Sequence, residues 1–381
     1  MHPQLFALLS SCLHIFLVLA NAIHTSSFAS RPCFRDAVKW AANYNLEMKV
    51  GFRPTAAQSI FRPHHIPTTS PVASMARFAA IPFVVLALAS SGFCMLVPSS
   101  ANGASPAPEV LRLWPADAPE AGGTEAADVP MLRLYRVESN DRTAGVVIYP
   151  GGGYGNLAMD HEGEQIATWF NRMGVTAAVC VYRHRGGGND GKGYGHPVPM
   201  LDAQRAIRTM RAKSSQWNID PERIGVIGFS AGGHLASTVS THHDEGNSAS
   251  DDMIEQASSR PDFSILCYPV IAFDKEFTHQ GSQKNLLGEN PDPALVASLS
   301  NESVVNAQTP PTFLFHTAED KAVPVENSLV YFAALQKAGV PAEMHVFERG
   351  RHGVGLAASI PGASAWPELC KGWLKVRGVI D

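Results

Sequence analysis

Residues 220–236 read DPERIGVIGFSAGGHLA. Ile224 to Phe229 is an unbroken apolar run, the pattern of a strand buried on both faces. Ala231 to Val239 is rich in small residues and reads as a helix. Between them lies Gly228-Phe229-Ser230-Ala231-Gly232-Gly233, a G-x-S-x-G pattern in a strand–turn–helix setting. Such a turn is sharp and strained, and a Cβ at its glycine positions would collide with the neighbouring strand or helix. The turn pushes the Ser230 hydroxyl out at the top of a sheet, at a helix N-terminus, with the Ala231 backbone N–H aimed at the same spot.

Outward from this turn the chain alternates strand and helix patterns. Met131 to Val137 alternates apolar and polar residues, whereas Gly145 to Tyr149 is continuously apolar. A helix is predicted from Glu162 to Met173, with Ile166, Trp169 and Phe170 on one face, and a strand from Val175 to Tyr182. Leu201 to Trp217 reads as an amphipathic helix whose polar side carries Arg205, Arg208 and Arg211. Further strands are predicted at Phe263–Val270, Thr312–His316 and Glu343–Phe347, and further helices at Glu326–Lys337 and Trp366–Val376. The alternation predicts an α/β fold, a mostly parallel central sheet with helices on both faces. The stretch 272–308, rich in Asn, Gly, Pro and Ser, interrupts it as an insertion over the carboxyl edge of the sheet.

A serine hydroxyl needs a base to act as a nucleophile, and that help is worth about 10²–10⁴-fold. In the chain order Ser, acid, His, the acid falls in the loop after the Thr312–His316 strand. Asp320 is the candidate there and Glu319 its neighbouring rival. His352, between glycines after the last strand, is the candidate base. His234 should point from the elbow helix into packing, and His316 should end its strand. His242-His243-Asp244 lacks a partner at ligand spacing, so no metal site is expected. Tyr149-Pro150-Gly151-Gly152-Gly153-Tyr154 follows a buried strand, and its glycines let N–H groups turn toward a substrate oxygen. Gly152, Gly153 and Ala231 are therefore the candidate oxyanion donors.

The chain has 381 residues, 45% hydrophobic and 17% charged, which excludes wholesale disorder. Residues 1–104 hold seven Lys/Arg against two Asp/Glu, and residues 105–381 hold twenty-three against thirty-two. The two regions therefore carry formal charges of +5 and −9. A folded part that acidic argues against nucleic acid as a partner. Three of the six cysteines, Cys180, Cys267 and Cys370, lie in the folded part, an odd number that fits buried thiols and not a paired framework.

The N-terminal region holds two apolar runs, Leu5 to Ala22 and Ile81 to Val97. The second follows Met75-Ala76-Arg77 and leads to Ser99-Ser100-Ala101, the basic start, apolar core and small residues of a secretory signal. Residues 75–104 are expected to be that signal, cleaved after Ala101 or Ala104, with 1–74 a non-structural extension or mis-called start. The competing reading is a true leader whose first apolar run is the signal. Either predicts export to the periplasm or the extracellular space. The second run is short for the roughly 20 residues of a membrane span and is broken by Pro82 and Ser90-Ser91-Gly92, so no stable span is expected.

Residues 140–375 resemble the α/β-hydrolase superfamily, and within it the acetyl esterase/acetylxylan esterase group of xylanase-associated carbohydrate esterases. The matching stretches are PGGGY at 150–154, DHEG at 160–163, DAQRAIR at 202–208, DPERIGVIGFSAGGHLA at 220–236, EDKAVPVENS at 319–328 and RGRHGVGL at 349–356. The resemblance implies a catalytic domain over 105–381, with Ser230 as nucleophile, His352 as base, Asp320 as orienting acid and an oxyanion hole at Gly152, Gly153 and Ala231. It implies a serine carboxylesterase acting on acetylated carbohydrate or another small ester, with no metal or organic cofactor. Many broader relatives carry His before the triple glycine, where this chain has Pro150. In the carbohydrate branch Tyr154, His161 and Glu162 are expected to border the pocket and meet sugar hydroxyls; for Glu162 the other reading is an acid at a helix start. Two alternatives stay open, a serine exopeptidase of the oligopeptidase type and a non-catalytic binding module on the same fold.

Overall fold

In the computed structural model, which describes residues 107–381, the apolar runs become the middle of one sheet. The readings of 1–104, with Cys12, Cys33 and Cys94, lie outside the described residues. The strands are β1 (Glu109–Arg112), β2 (Met131–Tyr135), β3 (Thr143–Tyr149), β4 (Thr176–Val181), β5 (Ile219–Phe229), β6 (Ser264–Cys267), β7 (Thr312–Thr317) and β8 (Ala342–Phe347). They lie in the order β1-β2-β4-β3-β5-β6-β7-β8. The two pairings that involve β2 are antiparallel and the rest are parallel. This is the α/β-hydrolase architecture. β1 carries almost no buried surface, which is why no apolar pattern announced it.

Helices cover both faces: α1 (Gln165–Asn171), α2 (Val198–Ala212), the short α3 (Ser214–Trp217), α4 (Ala231–Thr241), α5 (Gln280–Leu287), α6 (Pro293–Ser298), α7 (Glu326–Lys337) and α8 (Trp366–Val376). Because side chains alternate along a strand, β3 and β5 feed two cores. Val147, Tyr149, Ile224 and Val226 pack with Ile207 and Met210 of α2, Leu235 of α4 and Leu335 of α7. Val146, Ile148, Ile227 and Phe229 pack with Ile166 and Phe170 of α1 and Trp366 and Leu374 of α8. Cys180, Cys267 and Cys370 are buried free thiols. Among the described residues, no helix is long and apolar enough to cross a membrane.

Two segments carry structure that the sequence pattern does not spell out. The arginines on the polar side of α2 are held in ion pairs. Arg205 is 1% exposed and pairs with Asp252 at 2.7 Å and Glu255 at 2.6 Å, while Arg208 pairs with Asp244 and Arg211 with Asp262. Segment 243–262 lies over them, and a polar helix side can be ion-paired as readily as hydrated. The insertion 272–308 is also more regular than its composition suggests. It holds α5 and α6, each started by a side chain, His279 or Asp292, that accepts a backbone N–H.

Candidate active site

Ser230 stands at the junction of β5 and α4 with φ 53° and ψ −120°, a strained conformation for a residue with a side chain. The flanking glycines make it feasible. A Cβ on Gly228 would lie 2.0 Å from the Gly232 carbonyl oxygen, and one on Gly232 would lie 2.1 Å from that of Tyr149. Ser230 N–H donates to the Cys267 carbonyl and its own carbonyl accepts from Val270 N–H, which ties the elbow to β6 and the turn after it.

The loop after β8 brings His352 to this hydroxyl. Its Nε2 is 2.8 Å from Ser230 Oγ, and its Nδ1 is 2.6 Å from Asp320 Oδ2. The Asp320 carboxylate can only accept, so Nδ1 carries the hydrogen and Nε2 is free to take the serine proton. The other carboxylate oxygen accepts the N–H groups of Ala322 and Val323, each at 3.0 Å. Burial would raise the Asp320 carboxyl, but the neighbouring His316 ring and the hydrogen bonds from His352 and the Val323 N–H outweigh it and hold the group well below the usual carboxylate range. The His352 side chain keeps 23% of its surface exposed, enough to meet an incoming ester. Glu319 accepts the Gly350 N–H at 3.2 Å and so braces the histidine loop, while Asp320 contacts the ring.

The glycine turn after β3 packs directly on the elbow: a Cβ on Gly151 would lie 2.9 Å from Ser230 Cβ. Gly152 and Gly153 both have positive φ, at 131° and 64°. Among the described residues the N–H groups of Gly152, Gly153 and Ala231 donate to no backbone acceptor, the condition of donors waiting for a substrate oxygen. Gly151 N–H is already taken by Glu162 Oε2 at 2.9 Å. The proline at 150 does not leave the loop unheld, because its carbonyl accepts the Tyr182 hydroxyl at 2.7 Å.

The three candidate substrate contacts separate. Tyr154 is buried, its hydroxyl 2.9 Å from His234 Nδ1 and its ring set edge-on to Tyr182, so it packs the core and does not border a pocket. Glu162 is also buried, and both its oxygens are engaged, one by Gly151 N–H and the other by the Tyr268 hydroxyl at 2.8 Å. It sits inside a π-helical turn, Asp160–Glu164, so neither sugar contact nor ordinary helix-start acid describes it. A buried carboxylate needs such partners, and here they tether the oxyanion turn. His161 has 46% of its side chain exposed and borders the loop after His352, its carbonyl lying 2.6 Å from where a Cβ on Gly355 would be.

Sequence reasoning missed three residues. Tyr268 follows β6, accepts Gly355 N–H at 2.9 Å, donates to Glu162, and sets its ring edge-on to His352 with centroids 5.0 Å apart. It therefore links the oxyanion turn to the histidine loop. His316, fully buried, lies behind Asp320 with Nε2 3.6 Å from Oδ2; Nε2–H donates to the Val323 carbonyl at 2.9 Å and Nδ1 meets the Ser328 hydroxyl at 2.8 Å. His279, in the insertion, is the third. No local signal marks any of them, since each is defined by what lies across the fold. His242 bonds within its own helix end and Asp244 pairs with Arg208. Among the described residues, no group of three or more His, Cys, Asp or Glu is placed to hold a metal.

The BD-FAE family matches residues 132–335. An acetylxylan esterase from Xylanibacter ruminicola is 35% identical over 215 residues, 55% of this chain and 41% of that protein. Endo-1,4-beta-xylanase B from Butyrivibrio fibrisolvens is 36% identical over 231 residues, 60% of this chain and 35% of that protein. The chain thus spans well under half the length of these curated relatives. The crystal structure of an acetyl ester-xyloside bifunctional hydrolase from Caldicellulosiruptor lactoaceticus is similar at 47% identity and a TM-score of 0.68, covering 73% of this chain and 100% of that one.

Proposed function

We propose, for a chain that belongs to the BD-FAE family, that it is a serine carboxylesterase removing acetyl groups from carbohydrate such as acetylated xylan or its oligosaccharides. One observation carries the hydrolytic part: Ser230 Oγ, the His352 ring and the Asp320 carboxylate form a continuous chain at 2.8 and 2.6 Å. His352 Nε2 takes the Ser230 proton as Oγ attacks the ester carbonyl. The oxygen of the tetrahedral intermediate meets the N–H groups of Gly152, Gly153 and Ala231. The alcohol leaves with the proton from His352, and water then releases acetate from the acyl-serine by the same roles in reverse. The Asp320 carboxylate, held ionised, stabilises the imidazolium formed midway in each step.

The carbohydrate part draws support from the acetyl ester-xyloside hydrolase, matched along its whole length at 47% identity. Export, to the periplasm or the extracellular space, rests on the signal-like pattern of residues 75–104 and is tested by N-terminal sequencing of the mature protein. The activity test is a panel of p-nitrophenyl acetate, p-nitrophenyl octanoate, acetylated xylan and a dipeptidyl anilide. Release of acetate from the first and third, with Ser230→Ala folded but at least 10⁵-fold slower on the order seen for triad serines, is expected. Octanoate preference would overturn the short-acyl reading, and cleavage of the anilide alone would establish a peptidase.

A further inference from the structure

His279 belongs to the insertion, far from every catalytic motif, yet its ring stands at the open side of the oxyanion turn. A Cβ built on Gly153 would lie 4.0 Å from His279 Cε1 and 3.9 Å from Ser282 Oγ. Asn285, on the same helix α5, fastens that helix to the turn by donating to the Gly153 carbonyl at 2.8 Å. The ring is half-buried and lies close enough to the centre to sense both His352 and Asp320, which shift its proton affinity in opposite directions after burial has lowered it.

The tautomer follows from the partners. Ser282 N–H can only donate, and it donates to His279 Nδ1 at 3.2 Å, with the Ser282 hydroxyl 2.8 Å from the same nitrogen. Nδ1 is therefore an acceptor, and Nε2 carries the hydrogen of the neutral ring. Among the described residues Nε2–H has no acceptor. Capping α5 uses only Nδ1, a task for which Asn, Asp or Ser is the common choice. The far side of the imidazole is surplus to that task, and the ring's Cε1, next to Nε2, lies against the oxyanion turn. An acetyl methyl offers a donor nothing to bond, whereas the alcohol side of a sugar ester carries free hydroxyls beside the bond that breaks. That side must also lie near His352, which gives the leaving oxygen its proton.

Resting on the carbohydrate-esterase reading above, we propose that His279 is a specificity residue whose Nε2–H donates to a free hydroxyl of the sugar next to the ester. The test compares kcat/KM for acetylated xylo-oligosaccharide with that for p-nitrophenyl acetate, which has no such hydroxyl. His279→Asn keeps an N-cap but withdraws the reach of the ring. The ratio of the two constants should fall about tenfold, the worth of one net hydrogen bond. Most of the loss should appear as a raised KM, because an unreacting hydroxyl is bound alike in ground and transition states. His279→Gln, whose amide nitrogen reaches about as far as Nε2, should restore much of the ratio. A wild-type enzyme active on the oligosaccharide with a ratio unmoved in His279→Asn would overturn this assignment alone. A wild-type enzyme that cleaves p-nitrophenyl acetate and ignores the oligosaccharide would overturn the carbohydrate reading and this one with it.

Discussion

Ser230 and His352 meet at 2.8 Å, yet they are brought there by different means. The serine is fixed by backbone: a strained φ, flanking glycines that admit no Cβ, and backbone bonds to Cys267 and Val270. The histidine rides a loop in which Gly350, Gly353 and Gly355 all have positive φ. That loop takes its shape from side chains elsewhere in the fold. Thr317 donates to the Gly350 carbonyl, Glu319 accepts its N–H, Tyr268 accepts from Gly355 and Asp320 orients the ring. A nucleophile set by backbone sterics tolerates little change at its own position and at the glycines packed around it. A base set by distant hydrogen bonds can be detuned from many places, a little at a time.

The sharpest way to break the histidine side alone is Asp320→Asn. An amide facing Nδ1 can donate, which allows the ring to hold its hydrogen on Nε2, the wrong nitrogen for accepting the serine proton. A loss on the order of 10⁴-fold in kcat is expected from such a tautomer error, with the elbow and the fold intact by circular dichroism. A loss below tenfold would mean that another acid, such as Glu319, supports the ring.

The same contrast explains what could be read from the sequence. Backbone sterics write themselves into the chain as glycine patterns, so the elbow and the Gly151-Gly152-Gly153 turn stand out, as does an acid just past a strand end at Asp320. Contacts between distant elements leave no such trace. Tyr268 looks like an apolar strand end, His279 like a loop residue, and His316 like a strand end, until the fold puts them around the centre. Glu162 and Tyr154 follow the oxyanion turn closely in sequence, which points them toward the pocket. Nearness along the chain did not fix direction, and both side chains turn inward. The ion pairs of Arg205 and Arg208 leave no trace in the sequence for a similar reason, since their acidic partners come from a segment with no regular pattern.

Stability should show the contrast as well. Gly232→Ala forces a Cβ against the backbone at 2.1 Å from the Tyr149 carbonyl oxygen, with no side chain able to move aside. A loss of more than about 3 kcal/mol by urea denaturation is expected, at the upper end of overpacking costs. Tyr268→Phe changes no volume but leaves one oxygen of the buried Glu162 and the Gly355 N–H without their partner. Its expected cost is smaller, about 1–3 kcal/mol, together with a reduced kcat, because both the oxyanion turn and the histidine loop lose a shared anchor. Equal stability losses in the two variants would erase the distinction between the two halves.

The effect that grows only as pH falls concerns His234, which joins the elbow helix to the rest of the site. Its ring is fully buried, stacked on Phe273 at 4.2 Å, with Nε2 2.9 Å from the Leu299 carbonyl and Nδ1 2.9 Å from the Tyr154 hydroxyl. Burial lowers its pKa to about 3, against an ordinary histidine value near 6.5 in the unfolded chain. Below pH 6.5 the unfolded chain binds a proton that the folded chain refuses. The stability that His234 contributes is therefore complete above that pH and drains away as pH falls toward 3. The slope is at most about 1.4 kcal/mol per pH unit. His196 and His242, also lowered by burial, add to the wild-type slope. The measurement is therefore the difference in urea stability between wild type and His234→Gln from pH 6.5 to 4.5. Gln cannot take the proton, so its curve should be flatter over that window even if it is lower at pH 7. Parallel curves would mean that water or a shifted packing already lets the folded protein protonate this ring, and that the elbow helix is less tightly sealed than its counterpart loop.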